Sequence, residues 1–165
     1  MRSLPRLLLV GFAGVALAAP TVAQRADDQI APKSAELQQR AKALTSAGRL
    51  DDAEDQLETA LAIDPRNRWA YVDLARVAEK QHLFGKAIRM TNKALMLEPN
   101  DADAIAVQGE AMVEMGAVAR AQANLQKLQT LCGAKGCPQI AQLTAAISRG
   151  PTVASAKPPA SPKSN

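Results

Sequence analysis

Apolar residues recur along this chain at the three-to-four spacing of helices. Leu37, Ala41 and Leu44 fall at i, i+4 and i+7, on one face of a helix that Ser34 is placed to cap and Gly48 to end. A second apolar stripe begins near Leu50 with Ala53, Leu57, Ala60 and Leu61, and Asp64-Pro65 stops it. Proline has no N–H and pushes the residue before it out of the helical region. The next pair follows the same plan. Asn67 is placed to cap it, Tyr71, Leu74, Ala75 and Ala78 form the inward stripe, and Phe84, Ala87, Ile88, Ala94 and Leu95 supply the partner helix before Pro99. A third pair runs from Ala102 through Ile105, Gly109 and Met112, turns at Gly116, and continues through Val118, Ala121, Leu125 and Leu128. Pro138 then opens a last helix with Ile140, Leu143 and Ile147 on its apolar face.

These stretches keep a common register. An offset of 34 residues carries Ala53 to Ala87, Leu57 to Thr91, Ala60 to Ala94 and Pro65 to Pro99, with a weaker third copy at Ala121, Leu125, Leu128 and Gly133. The preceding helices agree: Leu37, Tyr71 and Ile105; Ala41, Ala75 and Gly109; Leu44, Ala78 and Met112. Self-similarity at this period is the mark of a helical solenoid. The residues resemble the tetratricopeptide-repeat (TPR) family over about Ser34 to Lys135. The resemblance implies an all-α solenoid of three helical hairpins, residues 34–67, 68–101 and 102–135, closed by a capping helix over 138–149. Departures from the family pattern fall at His82, where a glycine is usual, and at Gln108, Leu128 and Gly133. The last three lie in the terminal repeat, which faces a cap instead of another repeat.

The resemblance also implies a concave groove lined by the first helix of each repeat. Its positions are Ala35, Gln38, Lys42 and Thr45, then Trp69, Val72, Arg76 and Glu79, then Asp103, Ala106, Glu110 and Val113. A partner-binding set of Trp69, Arg76, Lys42, Val72, Gln38 and Glu110 follows, since Trp and Arg are common binding anchors. The alternative is that Trp69 packs on the preceding repeat near Ile63 and Arg76 is only solvated. The family's clamp for C-terminal carboxylates is not expected, because Glu110 opposes Lys42 and Arg76 and the clamp's asparagines are missing.

Composition changes the picture mainly at the ends. Residues 1–23 join basic Arg2 and Arg6 to an apolar run from Leu7 to Ala19 and small residues, the form of a secretory signal peptide. That run is shorter than the ~20 residues of a membrane-crossing helix, so no membrane insertion is expected after cleavage. Cleavage after Ala18 competes with cleavage after Ala23, the favoured site. Residues 24–33 read as a flexible lead and 150–165 as a disordered, proline-rich tail. Apolar residues make up 47% of the chain but aromatics only 2%, which suits close-packed helices and not a sandwich or barrel. Removing Arg2 and Arg6 leaves 18 basic against 16 acidic residues, or +2, with the signs interspersed. No nucleic-acid footprint results.

Candidate chemistry is sparse. Cys132 and Cys137, in an exported chain and bracketing Gly133 and Gly136, read first as a structural disulfide, with free thiols or redox chemistry as the alternatives. A metal site would need further Cys or His ligands, and no metal or other cofactor is expected. His82 is the only histidine and has no acid or serine at a catalytic spacing. Asp51, Asp52, Glu54 and Asp55 sit at a helix start, where negative charge complements the dipole. The methionines Met90, Met96, Met112 and Met115 suit core filling better than metal binding. The sequence therefore points to a non-enzymatic adaptor of the bacterial periplasm, or a secreted one, that holds a protein or peptide in its groove. Its rival is a self-associating or assembly subunit with no peptide ligand.

Overall fold

The computed structural model describes residues 29–152, so the expected signal peptide, its expected cleavage sites and all but the start of the expected tail lie outside the described residues. Seven α-helices, one short 3-10 helix at Gly133–Lys135 and no strands make up the regular structure among them. The α-helices are α1 (Pro32–Ser46), α2 (Leu50–Ile63), α3 (Arg68–Lys80), α4 (Phe84–Leu97), α5 (Ala102–Glu114), α6 (Val118–Cys132) and α7 (Pro138–Arg149). Consecutive helices pack as hairpins, α3 lies against α1 and α5 as well, and α7 lies on α5 and α6. The fold is the all-α solenoid.

The helix ends show why the chain turns where it does. Asp64 and Glu98, each before a proline, are extended at φ −139° and −138°, so α2 and α4 stop alike. Within the hairpins, Gly48 and Gly116 both take φ 75° and His82 takes φ 58°, three residues one period apart in one left-handed position. At each, the next residue's N–H reaches back five residues: Arg49 to Leu44, Leu83 to Ala78, Ala117 to Met112. That bond pairs an otherwise orphaned carbonyl. His82 thus makes the turn that glycine makes elsewhere, at the steric cost of a side chain in this conformation.

Ser34 does not cap the first helix. Pro32, whose missing N–H costs nothing in the first turn, starts α1 earlier. The Ala31 N–H donates to Asp64 Oδ2 at 2.9 Å. That backbone bond, ahead of the pairing with Arg66, holds the Asp64 carboxyl below its usual range. Ser34 is buried, donating to the Ala60 carbonyl at 2.8 Å and accepting from Asn67 Nδ2 at 2.9 Å. Asn67 caps α3 as expected, its Oδ1 accepting from Ala70 N at 3.1 Å. One period on, Asp101 caps α5 in the same way and pairs with Arg68, the counterpart of Ser34.

Three apolar clusters run through the stack, and each crosses a junction between hairpins, so every repeat depends on its neighbour. Alanines at the repeat's small positions, Ala41, Ala53, Ala75 and Ala87 among them, are fully enclosed. Thr91, where the first repeat has Leu57, satisfies its hydroxyl on the carbonyls of Ala87 and Ile88, both at 3.0 Å. Gly109 is required by α7. A Cβ there would stand 2.6 Å from Leu143 Cδ1, and Leu143 is itself buried. At the end of α6, Cys132 is bonded to Cys137 with their Cα atoms 5.7 Å apart, tying α6 to the start of α7.

Candidate functional site

The first helices α1, α3 and α5, with α7 beside them, present a face crossed by one continuous line of polar contacts. Gln38 Nε2 of α1 donates to Asp73 Oδ2 of α3 at 2.6 Å, and Lys42 Nζ approaches the same oxygen at 3.7 Å. Arg76 donates from Nη1 to Asp73 Oδ1 at 3.2 Å and from Nη2 to Asp103 Oδ1 of α5 at 2.8 Å. Gln139 Nε2 of α7 then donates to Asp103 Oδ1 at 3.1 Å. Two cations and two carboxylates alternate, so the floor is charge-balanced and its side chains are fixed by one another.

The six residues expected to meet a partner divide into two groups. Trp69 is 44% exposed, and the side chains of Lys42 and Arg76 are 47% and 37% exposed. These three stand open to solvent along the line. Val72 is corrected: at 2% exposure it lies in the core with Ala75, Ala104 and Val107, because small residues on α5 let that helix close over it. Gln38 is likewise buried, its amide engaged by Asp73. Glu110 is partly enclosed, and burial raises its carboxyl above the usual range against the opposing pull of Gln142, Arg76 and Arg149. Ala106 and Val113 are covered too, sharing a cluster with Leu143 and Ile147 of α7. The last helix therefore occupies the part of the groove that α5 would otherwise offer.

Trp69 and Ile63 are exposed to the same extent, 44% each. The indole ring carries the Arg68 guanidinium carbon 4.1 Å from the centroid. It divides two hollows, one of about 560 Å3 toward Ile30, Met96 and Leu97, the other of about 300 Å3 toward Ala35, Gln39 and Lys42. A further hollow of about 290 Å3 lies over Lys42, Thr45, Asp73 and Arg76. Together they form a track from the indole along α1 and α3.

Asp73 and Asp103 organise this face, and sequence reasoning missed Asp73. The available signal was an acid between Val72 and Leu74, three residues before an arginine in one helix. A second feature went unread. Glu79 of α3 meets Glu110 and Glu114 of α5 around a cavity of about 210 Å3. Burial first, then the charge of Glu110, pushes the Glu79 carboxyl up to about 8, with Arg76 opposing. Among the described residues no cluster of His, Cys, Asp and Glu is placed to hold a metal ion, and no helix is long and apolar enough to cross a membrane.

The family model for the tetratricopeptide repeat matches residues 44–108. No curated protein matches the chain. Solved structures do match it. The Sgt2 TPR domain from Aspergillus fumigatus superposes with a TM-score of 0.66 at 21% identity, over 82% of this chain and 88% of that one. The TPR2B domain of yeast Sti1, solved in complex with pHsp70, gives 0.65 at 22% identity, over 72% of this chain and 98% of that one. The Yersinia enterocolitica type III secretion chaperone SycD, solved with a peptide of the translocator YopD, gives 0.61 at 17% identity, over 70% and 86%. At such identities the likeness establishes the fold. The matched segment and the 34-residue register of the helix pairs show that this chain carries tetratricopeptide repeats within residues 44–108, on an all-α solenoid shared with these structures.

Proposed function

We propose that this chain is a non-catalytic interaction scaffold that holds an extended segment of a partner protein along its concave face. The observation that carries the reading is the exposed Trp69 indole, held by Arg68 at the head of a track that continues past Lys42 and Arg76. An aromatic anchor supplies apolar area at little entropic cost, and the fixed cations and carboxylates supply directed hydrogen bonds to a peptide backbone. The Sti1 domain, solved in complex with pHsp70, and SycD, solved with a peptide of the translocator YopD, share the fold and support the reading. An exported, periplasmic setting is part of the proposal. Its support is the tripartite pattern of residues 1–23 together with a cysteine pair placed to bond. Crosslinking in the native compartment, followed by affinity measurement on the recovered partner segment, tests it. Lys42→Ala should weaken binding and the convex-side change Lys127→Ala should not.

Self-association is the second reading, and the exposed Met96 and Leu97 beside Trp69 favour it. Light scattering over a range of concentrations separates the two. A mass fixed at that of one chain supports the scaffold, and a concentration-dependent rise supports assembly.

A further inference from the structure

We propose that the Cys132–Cys137 bond is a redox latch on the concave face: while it is closed α7 covers α5, and its reduction by a dithiol releases α7 and uncovers Ala106, Gly109 and Val113. That the uncovered stretch lengthens the partner groove rests on the reading above. The release of α7 does not.

α7 begins where the polar line of the face ends. Gln139 Nε2 in its first turn donates to Asp103 Oδ1 at 3.1 Å, the oxygen that Arg76 Nη2 meets at 2.8 Å. Farther along, Leu143 is buried over Gly109, where a Cβ would stand 2.6 Å from Leu143 Cδ1. Ala106 and Val113 share one apolar cluster with Leu143 and Ile147. The hold is narrow. α7 has 12 residues, of which Leu143 and Ala146 are buried, and a helix of that length does not persist without packing. Gln142 acts on the Glu110 carboxyl beneath it, yet Glu110 Oε1 is enclosed without a hydrogen-bond partner. The cover thus leaves an acceptor unanswered, which weighs against it.

The bond supplies what the packing lacks. Cys132 ends α6, Cys137 directly precedes α7, and their Cα atoms stand 5.7 Å apart. The four residues between them are exposed, and space is open where a Cβ on Gly133 or Gly136 would stand, so nothing packed against the loop fixes α7 in place. Once the sulfurs part, five extended residues reach about 17 Å, and the first turn of α7 is free to leave Asp103. Both cysteines are partly exposed, within reach of a thiol in solution. A thiolate of the dithiol attacks one sulfur, forming a mixed disulfide and releasing one cysteine thiolate. The second thiol of the reagent then displaces the other cysteine. Two electrons pass from the dithiol, which becomes a disulfide, to the protein, which ends with two protonated thiols.

The test is amide hydrogen exchange on the full chain in three forms: oxidised, reduced with dithiothreitol, and Cys132→Ser/Cys137→Ser without reductant. Amides of α7 should exchange at least tenfold faster in the reduced chain and in the double variant than in the oxidised chain. Those of α1 to α4 should keep their rates, and reoxidation should restore the protection of α7. The apolar dye anilinonaphthalene sulfonate should fluoresce at least threefold more with the reduced chain, reporting the uncovered face of α5. Unchanged exchange of α7 in a chain whose two thiols have been shown to alkylate would overturn the proposal. So would equal acceleration in α1 to α4, since the bond would then brace the whole fold. Faster exchange of α7 without the gain in dye fluorescence would overturn the uncovering of α5. These readouts involve neither a partner nor Trp69, so their failure and that of the groove reading are separate results.

Discussion

Arg76 Nη2 donates to Asp103 Oδ1 across 2.8 Å, joining α3 to α5 on the concave face. The same guanidinium meets Asp73 through Nη1, so Arg76 is positioned before any partner arrives and its charge is already answered. A partner carboxylate must compete with Asp103, whereas a backbone carbonyl can share the guanidinium. Exposed ion pairs of this kind contribute about 0–1 kcal/mol. Asp103→Asn should therefore leave stability within about 1 kcal/mol while turning the face net positive and raising affinity for acidic segments. Thermal denaturation and a salt-dependent binding series check both halves, and a large loss of stability would show that the pair has a structural role.

The turn at His82 gives an opposite expectation. A side chain in the left-handed region costs about 1–2 kcal/mol, and glycine loses about 0.5–1 kcal/mol more chain entropy on folding. The first effect is larger. His82→Gly should stabilise the protein by about 0.5–1 kcal/mol, raising Tm by a few degrees. An unchanged or lowered Tm would mean that the edge-on contact of His82 with Phe84, ring centroids 5.8 Å apart, outweighs the strain.

Glu79 ties stability to pH. Its folded carboxyl lies near 8, above the ordinary value of 4.5, so between those limits the native state holds a proton that the unfolded chain has released. The native state then binds more protons than the unfolded state, and stability falls as pH rises. The contribution is complete below about 4.5 and is lost as pH climbs toward 8. Denaturant titrations at a series of pH values should show this decline in the parent and a flatter profile in Glu79→Gln. Parallel profiles would contradict the assignment.

Much of the fold was legible because its signals are local or strictly periodic. Asp64-Pro65 and Glu98-Pro99 end helices by their own chemistry, and Ala53, Ala87 and Ala121 mark close approach by recurring one period apart. What stayed hidden depends on which side chains arrive from far along the chain. Ser34 looks like a cap because a hydroxyl before an apolar stripe suits one, but Ala60 and Asn67 claim it. Val72 lies on the groove side of its own helix, and only the approach of α5 buries it. Asp73 draws its role from Gln38 and Lys42 on another helix, and the Glu79 pocket exists only where α3 and α5 end side by side.

The Cys132–Cys137 bond joins α6 to α7, the helix that covers Ala106 and Val113. Closing so short a loop contributes about 2 kcal/mol by the chain-entropy estimate. Intact mass after alkylation should show no labelled thiol until reductant is added, and reduction should lower Tm by several degrees. Two thiols labelled at once in freshly isolated protein would contradict the pairing.

The central claim is that a partner segment lies on the concave face with Trp69 as its anchor. It is tested most directly by the affinity of the recovered partner segment for the parent, Trp69→Ala and Arg76→Ala, with circular dichroism reporting the helices of each. The account predicts intact helices and binding weakened by more than about 1 kcal/mol, roughly fivefold or more, in each variant. Binding equal to the parent in both, with the helices intact, would place the partner surface elsewhere.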